Sequence, residues 1–199
     1  LHPRPNSILF WDATVLTGYF LLNFVISTVS LYYQARGDHH PRWLNPLIYL
    51  SIPWAISIHT VTAFLYAGLP GRDYWLTAIL APRFLASAFA AGPAFLILCL
   101  FIVRRVSRFD PGERTLQTLA KIIAYAMVTN LFFLVLEVFT AFYSQIPGHM
   151  TPFVYLFMGL GEDTLLVPFM RLSVILGVVS VVLLVPSRSR NHPVTLVIA

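Results

Sequence analysis

Ionisable side chains inside or at the ends of long apolar runs include Asp12, His59, Arg83, Glu137, Glu162, Asp163 and Arg171. An ionisable group inside a bilayer costs several kcal/mol unless it is paired or hydrated, so each is a candidate for function. Helical spacing joins some of them to neutral polar neighbours. His59, Thr62 and Tyr66 recur at three and seven residues and share a helix face, as do Asn130, Glu137 and Ser144 at intervals of seven. A neutral imidazole and a buried carboxylate together can accept two hydroxyl protons, because burial makes a carboxylate a stronger proton acceptor. Oxidation of a hydroquinone requires that chemistry.

Each of these residues also has a purely structural reading. A lone His59 can hydrogen-bond a neighbouring helix, and Glu137 can form a buried pair with Arg83 or Arg171. Asp12, close to a helix start, can complement the macrodipole. Arg83 suits an interfacial anchor, and Glu162 with Asp163 suits the cap of the helix that follows. The four tryptophans, Trp11, Trp43, Trp54 and Trp75, read as belt or packing residues.

The elements that must hold these groups are set by composition. The chain is 58% hydrophobic and 11% charged, against roughly 45–50% and about 25% in soluble proteins, and its mean hydropathy is +0.77. A soluble fold cannot hide so much apolar surface. About 20 apolar residues cross a bilayer core of about 30 Å, and five segments qualify: Ile8 to Tyr32, Pro46 to Leu69, Pro82 to Val103, Thr115 to Ser144 and Thr164 to Val185. The fold class expected is an all-α polytopic transmembrane bundle with residues 1–199 as a single membrane domain. Between the second and third spans, GLPGRDYWLTAI reads as a short helix lying flat at headgroup level, with Tyr74 and Trp75 at the interface.

Basic residues orient the chain. The loops after the first and third spans and the tail after the fifth carry Arg36, Arg42, Arg104, Arg105, Arg108, Arg114, Arg188 and Arg190, whereas the opposite side has Arg4, Arg72 and Arg83. Lysine and arginine accumulate on the cytoplasmic side, so those loops are expected there, in an inner membrane. His59 then lies ten residues before Leu69, about 15 Å from the outer end of its helix, and Glu137 eight residues before Gln145, about 12 Å. The polar groups gather in the outer half, as a pocket opening outwards would require. No signal peptide precedes Ile8, and HPVTLVIA reads as the opening turns of a further helix, so the chain is expected to be an internal fragment of a longer protein.

Several chemistries are set aside. A single cysteine, Cys99, cannot build a disulfide framework or a cysteine-ligated cluster. Only His59 stands clearly within a span, whereas a membrane cytochrome b needs two axial ligands per haem, so neither haem nor an iron–sulfur centre is expected in this chain. The adjacent His39 and His40 read as a solvated turn. Walker loops, dinucleotide fingerprints and nucleophile triads are absent from the sequence. The net charge of +5 follows from topology and implies no nucleic acid; the expected surroundings are membrane lipid.

The stretch IPWAISIHTVTAFLYAGLPGRDYWLTAILAPRFLASAFAAGPAFLIL resembles the NrfD/PsrC family, the polysulfide-reductase-type integral membrane subunits, and within it the DsrP-like and HmcC-like branch of sulfur metabolism. NSILFWDATVLTGYFLLN and GLGEDTLLVPFM resemble the same family, with the His59 segment, the Pro70–Gly71 turn and the Pro82, Arg83, Phe84 start of the third span in family order. The resemblance implies a bundle without a redox centre of its own that binds a quinone such as menaquinone near the outer side. It implies a ferredoxin-like iron–sulfur subunit as partner, and through it multihaem cytochromes or a molybdopterin subunit. Matched residue by residue, it puts His59 at the family's helix histidine near the quinone, Asp12 at the first-span acid, Glu137 at the fourth-span acid and Arg83 at the basic entry to the third span; Thr62 and Tyr66, on the His59 face, are further expected quinone contacts, and His59, Asp12 and Glu137 the expected proton carriers. The sequence departs from the family at Phe169, Met170 and Arg171, where a tryptophan-rich run is expected after Val167–Pro168.

The leading expectation is therefore a non-autonomous, quinone-interacting subunit of a respiratory or sulfur-metabolism oxidoreductase. Two rivals are an ion- or proton-conducting subunit lined by Glu137, Asp163, Arg83 and His59, and a purely structural anchor for soluble subunits. A conducting path needs polar steps in both halves, and the cytoplasmic halves of the spans offer mainly Asn23, Ser27, Ser30, Thr129 and Asn130.

Overall fold

In a computed structural model the chain is described over residues 4–69, 71, 73–107, 109–186 and 196. Pro70, Arg72, Arg108, Arg188, Arg190 and the stretch 192–199 apart from Leu196 lie outside the described residues. The helices are α1 (Ile8–Ala35), α2 (Leu44–Ala67), α3 (Leu80–Val106), α4 (Glu113–Ser144), α5 (Pro147–Phe157) and α6 (Val167–Leu184). All but α5 are long and apolar enough to cross a membrane, and their ends fall within three residues of the five expected spans. The chain is a multi-pass, all-α membrane protein. It divides into two compact units, Leu1–Phe84 and Leu85–Ala199.

In the first unit α1 packs on α2. The half-buried residues Asp12, Val15, Tyr19, Leu22, Ile26, Val29 and Tyr33 recur at alternating steps of three and four, which draws one seam along α1. The other faces leave Phe20 (67% exposed) and Leu31 (64%) pointing outward, as suits helices whose solvent is hydrocarbon. Two features bring the helices close. Trp54 of α2 donates its indole N–H to the carbonyl of Val15 at 3.0 Å, and its ring lies over Gly18, where a Cβ would come within 2.5 Å of Cζ2. Only glycine leaves room for that approach. At the start of α2, His40 Nε2 and Asn45 Oδ1 lie 2.9 Å apart, so the exposed histidine turn is also tied to the first turn of α2.

The GLPGRDYWLTAI segment differs from its expectation. Among the described residues it holds one 3-10 turn, Asp73–Trp75, then a bend in which Thr77 Oγ1 accepts the N–H of Ile79 at 3.3 Å. Among the described residues the expected short helix is thus limited to that 3-10 turn, and Gly71 at φ +72 and the Thr77 side-chain bond compete with its extension.

The second unit is built on small residues. Ala120 (0% exposed) and Ala124 (3%) of α4 pack with Leu116, Ile123, Ile97 of α3 and Leu184 of α6. At Gly177 of α6, Leu131 and Met127 of α4 approach to within 3.4 and 3.5 Å of the position a Cβ would take. Small residues let helix backbones approach where hydrocarbon solvent supplies no hydrophobic drive.

The short helix α5 was not expected from the sequence. Its 11 residues rise about 16 Å, roughly half a bilayer core. Pro147 sits in its first turn, where a missing N–H costs nothing. It ends in a glycine closure: Gly159, at φ +89, donates its N–H to the carbonyl of Val154 at 3.0 Å. A Cβ on Gly159 would meet Thr164 Cγ2 at 2.8 Å. The chain then makes a two-way bridge between Leu160 and Asp163, with N–H to O distances of 3.3 and 3.1 Å. Glu162 and Asp163 therefore do not cap α6: that helix starts at Val167, with Leu166 at the cap position and no side-chain cap bond.

Candidate functional site

Asp12 is the fifth residue of α1 and lies outside its first turn, which contains no acid, so the macrodipole reading does not hold for it. Its carboxylate turns onto the α1/α2 seam instead. Thr62 Oγ1 donates a hydrogen bond to Asp12 Oδ1 at 2.7 Å, across 50 residues of sequence. The Trp54 indole bond to Val15 and the Gly18 gap lie one and two turns further along α1. Together they fix the rotation of α1 that presents Asp12 to α2.

His59 stands one turn before Thr62 on the same face of α2 and is half-buried. Tyr66, one turn beyond Thr62, packs its ring against Trp75 at a centroid distance of 4.9 Å and edge-on against Phe84 at 6.0 Å. Trp75 thus serves as a packing partner that holds the Tyr66 ring. Arg83 is half-buried in the first turn of α3, its N–H bonded to Ile79 O at 2.9 Å. A cavity of about 260 Å³ lies between Ala63 and Ala67 of α2 and Leu76, Thr77, Leu80 and Ala81, and none of Asp12, His59, Thr62, Tyr66 and Arg83 lines it.

The first unit therefore contains Asp12, His59, Thr62, Tyr66 and Arg83, with a side-chain hydrogen bond joining Asp12 to Thr62. Glu137 belongs to the second unit, on α4, at 8% exposure. Arg171, one of the two basic residues considered as a partner for Glu137, places its guanidinium Nε and Nη2 on the carbonyl of Phe157 at 3.1 and 2.9 Å. Trp54 and Gly18, which organise the seam, were not singled out for function in the sequence. The usable signal was an indole N–H in the middle of an apolar span, because such a donor requires an acceptor on a neighbouring helix.

The polar residues Asn23 and Thr129, outside this cluster, are satisfied locally. Asn23 Nδ2 donates to Tyr19 O at 2.9 Å and Thr129 Oγ1 to Tyr125 O at 2.9 Å, each on its own helix. Such back-bonding removes the need for a hydrated lining at these positions.

Comparison with known proteins bears on the same helices. The chain is 23% identical over 134 residues to the Hdr-like menaquinol oxidoreductase integral membrane subunit of Archaeoglobus fulgidus, covering 67% of this chain and 32% of that protein. It is 26% identical over 150 residues to a Halobacterium salinarum protein whose name describes a candidate membrane subunit of dimethyl sulfoxide reductase, with 66% of this chain and 34% of the relative covered. Each match thus spans about a third of the relative's length. The family model described as polysulphide reductase, NrfD matches residues 1–199, the full extent of the helices and of the polar seam between α1 and α2. This chain belongs to the polysulphide reductase NrfD family.

Proposed function

We propose that this chain is the quinone-interacting membrane subunit of a redox complex, oxidising menaquinol and passing electrons to a ferredoxin-like iron–sulfur subunit. Each turnover converts a quinol to a quinone with release of two protons and two electrons. The carrying observation is the Thr62–Asp12 hydrogen bond of 2.7 Å between two spans, one turn from His59. In this reading the imidazole takes one hydroxyl proton and Asp12, oriented by Thr62, accepts the other, while Tyr66 and Arg83 border the ring. Electrons leave through the partner and onward to a multihaem cytochrome or molybdopterin subunit. Family membership and the A. fulgidus relative's name as a menaquinol oxidoreductase subunit support menaquinol as substrate. Glu137, buried in α4, is proposed as a further proton acceptor, to be assessed by its own substitution.

We place the protein in the inner membrane with the connections after α1 and α3 on the cytoplasmic face, on the arginine distribution. The test is quinol-dependent electron transfer in the full-length protein purified with its native partners. His59→Ala should lower kcat by about 100-fold or more, the usual worth of a proton-transfer group, while assembly stays intact. Unchanged turnover in an assembled complex would remove the proton role from His59 and favour a structural anchor.

A further inference from the structure

The second unit encloses an apolar cavity of about 490 Å³ between α4, α5 and α6, lined among others by Val138, Phe139, Phe142, Phe153, Phe157 and Val174. That volume lies in the usual range for ligand pockets, about 300–1,000 Å³, but no hydrogen-bonding side chain lines it. A quinol ring, whose two hydroxyls need partners when buried, is poorly served there. A hydrocarbon chain is well served. The rim residue Phe139 is 60% exposed and Met158 68%, so the cavity opens to the side of the helices, where lipid lies.

Arg171 marks the mouth. It is the one charged residue of α6, one turn before the cavity residue Val174, and its guanidinium is held on the carbonyl of the cavity residue Phe157. A guanidinium has five N–H donors. The two bonds to Phe157 use one from Nε and one from Nη2, which leaves a planar fork of donors on an exposed side chain. Such a fork matches phosphate geometry. Arg171 lies four residues from the start of α6, about 6 Å along its axis, so its long side chain can extend toward a headgroup at that end of the helix. Glu162 and Asp163 are exposed in the connection that precedes α6.

We infer that a membrane phospholipid occupies this place, one hydrocarbon chain in the α4/α5/α6 cavity and its phosphodiester on Arg171. The test is native mass spectrometry of the delipidated full-length protein titrated with dioleoylphosphatidylglycerol or with dioleoylglycerol, which has the chains without the phosphate. Wild type should retain one phosphatidylglycerol at least about tenfold more tightly than dioleoylglycerol, the worth of one charge-assisted contact. Arg171→Gln should remove that preference, and Val138→Trp, which fills the cavity, should weaken both lipids. Equal binding of the two lipids by wild type would overturn the proposal without any variant having to fold. Three other results would also overturn it: inorganic phosphate displacing phosphatidylglycerol, menaquinone displacing it, or a lipid-free dimer in which a second copy covers the cavity.

Discussion

At the scale of the residue, charge in an apolar span is rare enough that position in the sequence puts Asp12, His59 and Glu137 on a short list of candidates. Their partners are less legible. The helix-start position of Asp12 suggested a dipole role, but its bond to Thr62 depends on which way α1 is rotated, and that is a tertiary property. Thr62→Val keeps the shape and removes the donor. It should cost about 1 kcal/mol, the scale of interhelical hydrogen bonds in membranes, readable by titrating unfolding in mixed micelles. Asp12→Asn keeps an acceptor for Thr62 while losing the capacity to take a quinol proton. It should therefore lose turnover with little loss of stability, whereas a carboxylate that serves only structure would show matching losses in both.

At the scale of the element, five spans were readable because hydropathy over 20 residues is a strong signal, and their ends hold to within three residues. The short α5 was not readable. Two prolines, a glycine and a histidine in 11 residues look like a connection, and only the Pro147 start and the Gly159 closure make a helix of them. Gly18 is the other hidden determinant, one glycine among ten in the chain. Gly18→Ala would drive its Cβ into the Trp54 ring, so we expect a loss of about 1–3 kcal/mol, typical of overpacking. Trp54→Phe should relieve the clash but lose the indole bond to Val15. The double variant should therefore be more stable than Gly18→Ala alone, and additive losses measured by thermal unfolding in detergent would refute the contact.

At the scale of the whole molecule, the class of the chain follows from composition and its family from the residues around His59. Sidedness rests on arginines, several of them beyond the described residues. In a Cys99→Ala background, Glu162→Cys in the connection after α5 should react with a membrane-impermeant maleimide added to intact cells. Asp38→Cys, in the connection after α1, should react only after permeabilisation. The reverse pattern would invert the topology and move the quinol face to the cytoplasm.

The bond between Asp12 and Thr62 also has a history in time. The two residues are 50 positions apart, and a ribosome working at about 5–20 residues per second needs roughly 3–10 s to make the second after the first. During that interval α1 emerges with a carboxylate whose hydroxyl partner has not yet been translated. Inserting an aspartate is unfavourable by about 2.5–3.5 kcal/mol at a helix centre and by less near a helix start, where Asp12 stands. The seam set by Gly18 and Trp54 therefore gives the Asp12 carboxylate its hydroxyl donor only once α2 has followed α1 into place.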